Sequence, residues 1–275
     1  MENFINRHGS VVRMIVSLVQ AESAANVAGD NLSVIETAAE KAAGDLLIFP
    51  ELFLSGYTTD LEIKSRAERN LERWRSELLR IAEEHGKWIM TGAPYPCDDG
   101  LKNIIWVIPP EGKDIRYEKI HLAHFGIFRE ADVFTPGREP MILDINGFRF
   151  GLSICYDLFF PEMYRYYALR GADVLICASA SPLSSQEHFE RVLPARAVEN
   201  TCYMLFVNNV GVQGDFHFFG GSRAISPYGN EIVNCGDSRY NIIEIKLLRD
   251  ELERAREERP TLRDHRHDIN WSGYS

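Results

Sequence analysis

The sequence predicts an α/β protein in which two mixed sheets pack face to face and carry helices on their outer faces, a four-layer α-β-β-α sandwich. Apolar runs rich in β-branched residues alternate with segments of helical period, and this alternation is typical of sheets covered by helices. A sheet that is covered on one face must still bury its other face. Two such sheets do so by packing together, which predicts the four layers.

The first part of the chain has the alternation in its clearest form. Three apolar runs have the length of buried strands, and two segments of helical period separate them. The predicted strands are 11–19, 46–49 and 88–91, and the predicted helices are 32–43 and 61–85.

The middle of the chain changes to short strands separated by turns. The predicted strands are 104–108, 115–119 and 148–154, with Pro109-Pro110 and Asn146-Gly147 interrupting the apolar runs. Asn-Gly between apolar runs is a strong hairpin signal, so antiparallel pairing is expected here.

A second strand–helix rhythm follows the middle section. It consists of a helix at 161–170, a strand at 174–178, a helix at 186–200 and a strand at 203–208. The chain then returns to a hairpin, with strands at 220–225 and 231–234 joined by the turn Ser-Pro-Tyr-Gly-Asn.

Length and composition favour one domain and exclude several function classes. A chain of 275 residues, 45% of them hydrophobic, can bury one large core, so residues 1–275 are predicted to form a single domain. The formal net charge of −10 repels nucleic acid and anionic membranes. The polar segment 259–275 is expected either to fray or to pack on a partner subunit.

The expected location is the cytoplasm. No apolar run reaches the length of about 20 residues that a membrane helix needs, and the start of the chain lacks a basic region followed by an apolar stretch. The five cysteines have no CxxC spacing, which argues against a disulfide framework and against a thiolate metal site. The histidines at 121, 124, 265 and 267 lack a matching set of ligands, so no metal and no cofactor are predicted.

Three chemically useful side chains stand at the ends of three predicted strands. Glu51 follows LLIFP, Lys119 ends the strand of YEKIHL, and Cys155 ends FGLSIC. Such strand ends are where ligands collect in α/β sheets. A thiol between a strand and a helix can also lie in a helix-start field that favours thiolate.

These residue types suffice for hydrolysis of an amide. The thiol is the nucleophile, Glu51 can take its proton, and Lys119 with the backbone N–H of Tyr156 can stabilise the charge that develops on oxygen. Each residue also has a commoner structural role: a cysteine that ends a strand is often a small core residue, and single acids or lysines often cap or solvate strand ends. Composition alone leaves both interpretations open.

The segments FPELFLSGY, YEKIHL and SICYDLFFPE resemble the three signature motifs of the nitrilase superfamily, in the same order. The resemblance implies the four-layer fold, with Glu51 as general base and acid, Lys119 as oxyanion stabiliser and Cys155 as nucleophile. It further implies that Glu130, in FREADVFTPG, positions the substrate or Lys119. Phe159 stands where many relatives have arginine.

The same resemblance implies the reaction: thiol-dependent hydrolysis of a non-peptide carbon–nitrogen bond in a small amide or N-carbamoyl compound, through a thioester. Tyr-Asp after Cys155 is similar to the amidase and carbamoylase branches, so nitrile hydrolysis is the alternative within the superfamily. Acyl transfer to another acceptor and a catalytically idle binding or scaffold protein remain further alternatives.

Substrate-binding residues are expected in two loops, one around Tyr57 and one after residue 178. The predicted set is Tyr57, Tyr156, Ser179 and Ala180, and the small polar residues up to Ser185 favour a small polar substrate. Relatives form dimers through the helix after the nucleophile. The aromatic helix at 161–170 therefore predicts a homodimer with this helix in its interface.

Overall fold

The structure of the protein is a computed structural model, which describes residues 13–23, 30–237, 239–266 and 268–269. Its α-helices are α1 (Asp30–Lys41), α2 (Ile63–His85), α3 (Pro161–Leu169), α4 (Gln186–Asn200) and α5 (Arg249–Glu258). Its strands are β1 (Arg13–Ala21), β2 (Leu46–Ile48), β3 (Trp88–Cys97), β4 (Gly100–Ile108), β5 (Ile115–Glu118), β6 (Ile142–Ile145), β7 (Phe148–Ile154), β8 (Val174–Ser179), β9 (Tyr203–Asn208), β10 (Val210–Gln213), β11 (Phe216–Phe219), β12 (Arg223–Ile225), β13 (Glu231–Asn234) and β14 (Tyr240–Leu248).

Two six-stranded sheets form the centre of the fold. The strand order is β14-β1-β2-β3-β4-β5 in the first sheet and β13-β12-β9-β8-β7-β6 in the second. Each sheet is mixed: β1, β2 and β3 run parallel, as do β7, β8 and β9, whereas the outer strands pair antiparallel. The antiparallel pairing predicted for the middle of the chain is confirmed at β3–β4, β4–β5 and β6–β7.

Alternation along the strands of the first sheet separates two cores. Leu46 and Ile48 of β2 belong to the core that contains β7, β8 and β9, whereas Leu47 belongs to the core that contains α1 and α2. Because successive side chains of a strand point to opposite faces, one face of this sheet packs on the second sheet and the other on helices. Helices α3 and α4 cover the outer face of the second sheet. The predicted four-layer α-β-β-α sandwich is confirmed.

Two elements near the end of the described chain have no counterpart among the predicted elements. Strand β14 has the buried–exposed alternation of a half-buried strand, so its signal was present in the sequence. Helix α5 buries only Leu252 and Ala255, which leaves too weak an apolar stripe to predict a helix. Strand β14 pairs with β1 along the full length of both strands and completes the first sheet.

The strand predicted at 220–225 is wrong in its first half. Gly220 and Gly221 both have φ of +63°, and the strand begins only at Arg223. Two successive residues in the left-handed region turn the chain out of a sheet, and glycine alone adopts that conformation at no steric cost. The preceding residues instead form the β10–β11 hairpin.

The helices, the cysteines and the polar tail can be compared with the predictions from sequence. No helix within the described ranges is both long enough and apolar enough to cross a membrane. The five cysteines are free thiols. In the tail, the Thr261 hydroxyl donates to the carbonyl of Glu199 at 3.2 Å and Leu262 packs on the core, while residues 267 and 270–275 lie outside the described part.

Candidate active site

A buried lysine between two buried carboxylates forms the centre of the site. Lys119 Nζ lies 2.7 Å from Glu51 Oε1 and 2.8 Å and 2.7 Å from the two carboxylate oxygens of Glu130. These three side chains are at most 1% exposed. Charges removed from water in this way are stable only when they are paired and hydrogen-bonded, so the three groups depend on one another.

Glu51 is held on both carboxylate oxygens. Asn103 Nδ2 donates to Oε1 at 2.8 Å, and the backbone N–H of Ala180 donates to Oε2 at 2.8 Å. The loop that follows β2 packs directly on β3, where a Cβ at Gly92 would lie 2.2 Å from the backbone nitrogen of Leu52. Only glycine allows this approach, so Gly92 sets the depth at which Glu51 lies.

Lys119 lies one residue beyond β5 and is held by its backbone. Its N–H donates to the carbonyl of Asn103 at 2.8 Å, and its carbonyl accepts from the N–H of Gly137 at 2.7 Å. A Cβ at Gly137 would lie 2.4 Å from the carbonyl oxygen of Glu118, so this contact also requires glycine. The lysine side chain therefore leaves a fixed backbone position toward the carboxylates.

Glu130 accepts from three directions. Besides Lys119, the hydroxyl of Tyr57 donates to Oε1 at 2.9 Å and the backbone N–H of Ala123 donates to Oε2 at 2.9 Å. Burial raises the pKa of Tyr57 well above its usual value, and the charge of Glu130 raises it further, so the phenol keeps its proton and donates. These contacts fix Glu130 as the second partner of the lysine.

Cys155 begins a short 3₁₀ turn, Cys155–Phe159, directly after β7. Its φ of +46° lies in the left-handed region, which costs a residue with a Cβ of order 1–3 kcal/mol. The side chain of Asp157 holds the turn in place, because its Oδ2 accepts from the N–H of Ile154 at 3.0 Å and from the hydroxyl of Tyr117 at 2.7 Å. The strained position is therefore maintained by a buried carboxylate two residues further on.

The cysteine sulfur has hydroxyl neighbours. Its Sγ lies 3.4 Å from Ser181 Oγ, which lies 2.6 Å from Ser179 Oγ. The backbone N–H of Ser181 donates to Asn208 Oδ1 at 2.7 Å, so this hydroxyl pair is itself anchored. The loop after β8 thus reaches both the thiol and Glu51.

Burial and charge set the protonation states of the cluster. Burial raises the pKa of Glu51 above that of an ordinary carboxyl; Lys119 lowers it and Glu130 raises it. Burial by itself would lower the pKa of Lys119, but the charges of Glu130 and Glu51 outweigh it and hold that pKa well above its usual value. Lys119 is therefore a permanent cation and Glu51 a stronger base than a solvated carboxylate.

The thiol of Cys155 is neutral in the free protein. Burial raises its pKa to about 12, and the charge of Glu51 adds to that effect. The expectation of a field that favours thiolate is wrong, because desolvation and a neighbouring carboxylate oppose a negative sulfur more strongly than Lys119 favours it. An attack by this sulfur must be accompanied by transfer of its proton to a base.

The residues expected to bind substrate have different positions. Tyr57 is buried against Glu130, and Ala180 is buried with its N–H donated to Glu51. Ser179 is buried beside the thiol, where its hydroxyl lowers the pKa of Cys155 against the effect of burial. Tyr156 is half-buried and forms part of the wall of a cavity of about 590 Å³.

Other polar residues of the site were not singled out from the sequence. Asn103 and Ser181 carry no local signal, because their partners Glu51 and Cys155 are distant along the chain. Asp157 was used only as part of the Tyr-Asp pair after Cys155, and its support of the turn could have been suspected from a polar residue among apolar neighbours. His121 donates its backbone N–H to Asp157 Oδ1 at 2.8 Å, and its ring Nδ1 lies 2.8 Å from the same oxygen.

Comparisons with known proteins identify the family of this chain. A model of the carbon-nitrogen hydrolase family matches residues 15–257. The chain is 29% identical to a 2-oxoglutaramate amidase of Bacillus subtilis (strain 168), over 94% of this chain and 100% of that protein, and 31% identical to an (R)-stereoselective amidase of Pseudomonas sp, over 92% of each.

A solved structure of similar fold shows an amidase mutant from Nesterenkonia sp. AN1 with the acetamide moiety of fluoroacetamide covalently added at its active-site cysteine. Its TM-score is 0.81 at 27% identity, over 92% of this chain and 94% of that one. The predicted enzyme class is therefore confirmed. With its two-sheet fold, its buried thiol, lysine and carboxylates, and a family match over most of its length, the chain belongs to the carbon–nitrogen hydrolase family, in the nitrilase superfamily.

Proposed function

We propose that this carbon–nitrogen hydrolase cleaves a small amide or N-carbamoyl compound through a thioester on Cys155, with release of ammonia or an amine. The observation that carries the proposal is that one loop contacts both the thiol and the carboxylate. The N–H of Ala180 donates to Glu51 at 2.8 Å, the next residue places its hydroxyl 3.4 Å from the sulfur of Cys155, and Lys119 lies 2.7 Å from Glu51. These are the three groups that acyl transfer to sulfur requires.

The first half of the reaction forms the thioester. The sulfur of Cys155 bonds to the carbonyl carbon while Glu51 takes the thiol proton, and the C=O electron pair moves onto oxygen. Lys119 and the backbone N–H of Tyr156 stabilise that oxyanion, an effect worth about 3 kcal/mol for one fixed donor. The C–N bond then breaks as Glu51 returns the proton to nitrogen, and ammonia or an amine leaves.

The second half hydrolyses the thioester. Glu51, again a carboxylate, takes a proton from a water molecule while the oxygen of that water bonds to the carbonyl carbon. Collapse of this second tetrahedral intermediate breaks the C–S bond, and the proton on Glu51 passes to sulfur. The sum is R–CO–NH₂ plus H₂O giving R–COOH plus NH₃, with the thiol and carboxylate restored.

The remaining assignments follow from contacts. Glu130 positions Lys119 and keeps it charged, and Ser179 lies beside the sulfur. Ala180 acts through its N–H on Glu51 and Tyr57 through its hydroxyl on Glu130, so both are proposed as positioning residues whose surfaces border the substrate. Amide hydrolysis is favoured over nitrile hydrolysis because the two relatives reported above, which match more than nine-tenths of this chain, are amidases.

The test is ammonia release from propanamide, N-carbamoylglycine and propionitrile, followed beside Cys155→Ala and Glu51→Gln. We expect both variants to lose at least about 1,000-fold in kcat/KM on the preferred compound. Cys97→Ala, which removes a half-buried thiol from the β3–β4 hairpin, is the matched control and should retain full activity. Two active-site variants that match the parent protein would overturn the mechanism.

Two measurements separate the alternatives. Acid-quenched protein should carry an acyl adduct in its intact mass, absent from Cys155→Ala; an idle scaffold carries none. Added hydroxylamine should divert only a minor part of the product to hydroxamate. A product formed solely when an amine acceptor is present would assign acyl transfer in place of hydrolysis.

For the whole protein, we propose a single-domain, cytoplasmic homodimer. The shared core of both sheets, the net charge of −10 and the free thiols support the first two points. Helix α3 buries Met163, Tyr164 and Tyr167 within the chain, so Tyr166 is the aromatic side chain that it leaves exposed for an interface. Sedimentation at micromolar concentration should give the dimer mass, and Tyr166→Glu should shift it to the monomer.

A further inference from the structure

The cavity of about 590 Å³ has walls of a consistent character. Its large side chains are Phe125, Ile127, Phe128, Tyr156 and Phe159, joined by a glycine, two serines and one histidine. None of the described residues that line it is a lysine, arginine, aspartate or glutamate. A cavity of this volume is within the range of small-molecule sites, and a molecule bound here meets mainly apolar carbon.

The cavity wall is connected to the catalytic groups by direct ring contacts. Tyr156 immediately follows Cys155 in the chain. On the other side, the ring of Phe128 lies 5.7 Å from that of Phe216, which lies 5.0 Å from the ring of Tyr57. Tyr57 in turn donates to Glu130. The wall is therefore adjacent to the cluster in two places, through Tyr156 beside Cys155 and through the ring contacts that end at Tyr57.

Two residues of the wall are unusually exposed for their type. Phe125 is 50% and Ile127 is 55% exposed, although Phe125 packs on Tyr156 with ring centroids 5.0 Å apart. They belong to the segment between Lys119 and Glu130, which the cluster anchors at both ends. Large apolar side chains left together in water beside a reactive centre offer surface for a ligand to cover.

We propose that this cavity binds the acyl portion of the substrate, and that the substrate is the amide of an uncharged aromatic or long aliphatic acid. The inference rests on the proposed function and replaces the small polar substrate expected from the turn after residue 178. A second carboxylate on the substrate would lose its hydration between these walls without gaining a lysine or arginine partner from the described residues of the wall. The aromatic rings would instead pack on an apolar acyl chain.

The test compares kcat/KM for four amides: propanamide, hexanamide, 3-phenylpropanamide and glutaramate. Hexanamide and glutaramate match in length, because hexanamide has an ethyl group at the position where glutaramate has its carboxylate. We expect 3-phenylpropanamide to exceed propanamide by at least about 10-fold. Hexanamide should exceed glutaramate by about 100-fold, since no lysine or arginine within the described part of the chain lines the cavity to pair with the charge.

A pair of variants ties the preference to the cavity. Ile127→Lys places a cation in the wall. It should reduce the ratio of kcat/KM for 3-phenylpropanamide to that for propanamide by about 10-fold. It should raise the ratio of kcat/KM for glutaramate to that for hexanamide. Ile232→Lys is the matched control, because Ile232 is 46% exposed on β13 and does not line the cavity. It should leave all four values unchanged.

The outcomes separate this inference from the proposed function. The acyl-group assignment is overturned, while amide hydrolysis stands, by either of two results. One is that the protein hydrolyses glutaramate as fast as hexanamide, and the other is that Ile127→Lys has the same activities as Ile232→Lys. If no amide is hydrolysed by the parent protein, the proposed function fails and the inference with it. A fall in oligomeric mass in Ile127→Lys would assign this face to an interface between copies and overturn the inference by itself.

Discussion

Replacing Lys119 with methionine tests whether the lysine holds two buried carboxylates together. Methionine is an unbranched apolar side chain one atom shorter, with sulfur in place of Cδ and no ammonium group. In the parent protein that group lies 2.7 Å from Glu51 and 2.7 Å from Glu130, with both carboxylates at most 1% exposed. Without it, two like charges remain in a site from which water is excluded.

The expected loss of stability is large at neutral pH. Removing one member of a buried ion pair costs about 3–5 kcal/mol, because its partner is left uncompensated. With a urea m-value of about 3 kcal/mol/M, that corresponds to a fall of about 1–1.7 M in the unfolding midpoint. The total stability of a folded domain is about 5–15 kcal/mol, so the variant should still fold.

The loss should shrink as the pH falls. Burial already raises the folded-state pKa of Glu51 above its unfolded value, and loss of the Lys119 charge, which lowers that pKa, raises it further. The folded variant therefore binds more protons than the unfolded chain. Its stability relative to the parent therefore improves as the pH is lowered from 8 toward 5.5. Urea unfolding at these two pH values, followed by tryptophan fluorescence, measures the difference.

Lys102→Met is the control for this experiment. Lys102 is also buried and lies 2.7 Å from Asp99, but the Asp99 side chain is 59% exposed and regains water when the lysine is removed. Lys102 holds the pKa of Asp99 below its usual value, so the stability from that pair is lost only in acid well below pH 5.5. A Lys119→Met penalty that is under about 1 kcal/mol at pH 8, or equal at both pH values, would refute the reasoning.

Three further predictions concern the same site. In the parent protein, the acid-side fall of kcat/KM should occur at a pH above the usual carboxyl range, because the pKa of Glu51 is raised. Glu130→Gln should move this fall to lower pH, because it removes a charge that raises the pKa of Glu51. A fall that stays at the same pH in the variant counts against Glu51 as the base. Asp157→Asn should lower the melting temperature by several degrees, because the new amide N–H would face the N–H of Ile154 and the hydroxyl of Tyr117, at a cost of about 1–3 kcal/mol. An unchanged melting temperature in calorimetry would show that Asp157 does not support the turn. Gly92→Ala should cut kcat at least about 10-fold by displacing the Glu51 loop, and unchanged turnover would contradict the close approach.

The local pattern of the sequence was sufficient for most of the architecture. The alternation of apolar runs with helical segments depends on neighbouring residues, and it located the parallel strands, their helices and the residues at the strand ends. Glu51, Lys119 and Cys155 could be selected because each follows a strand within a motif. The local signal was weak in α5 and misleading at Gly220-Gly221, whereas β14 was missed although its alternation was present in the sequence.

What tertiary structure alone decided are the contacts between distant segments. Asn103 and Ala180 hold Glu51 from 52 and 129 residues away, and no local pattern can encode such a pairing. The protonation states depend on burial, which raises the pKa of the Cys155 thiol although its strand–helix junction suggested a field that favours thiolate. The apolar cavity likewise exists only where the segment before Glu130 meets the turn after Cys155. The sequence by itself determined which reactive groups the protein has, because residue type and strand period are local; packing determined their charge and what they can bind, because desolvation and shape are properties of the assembled chain.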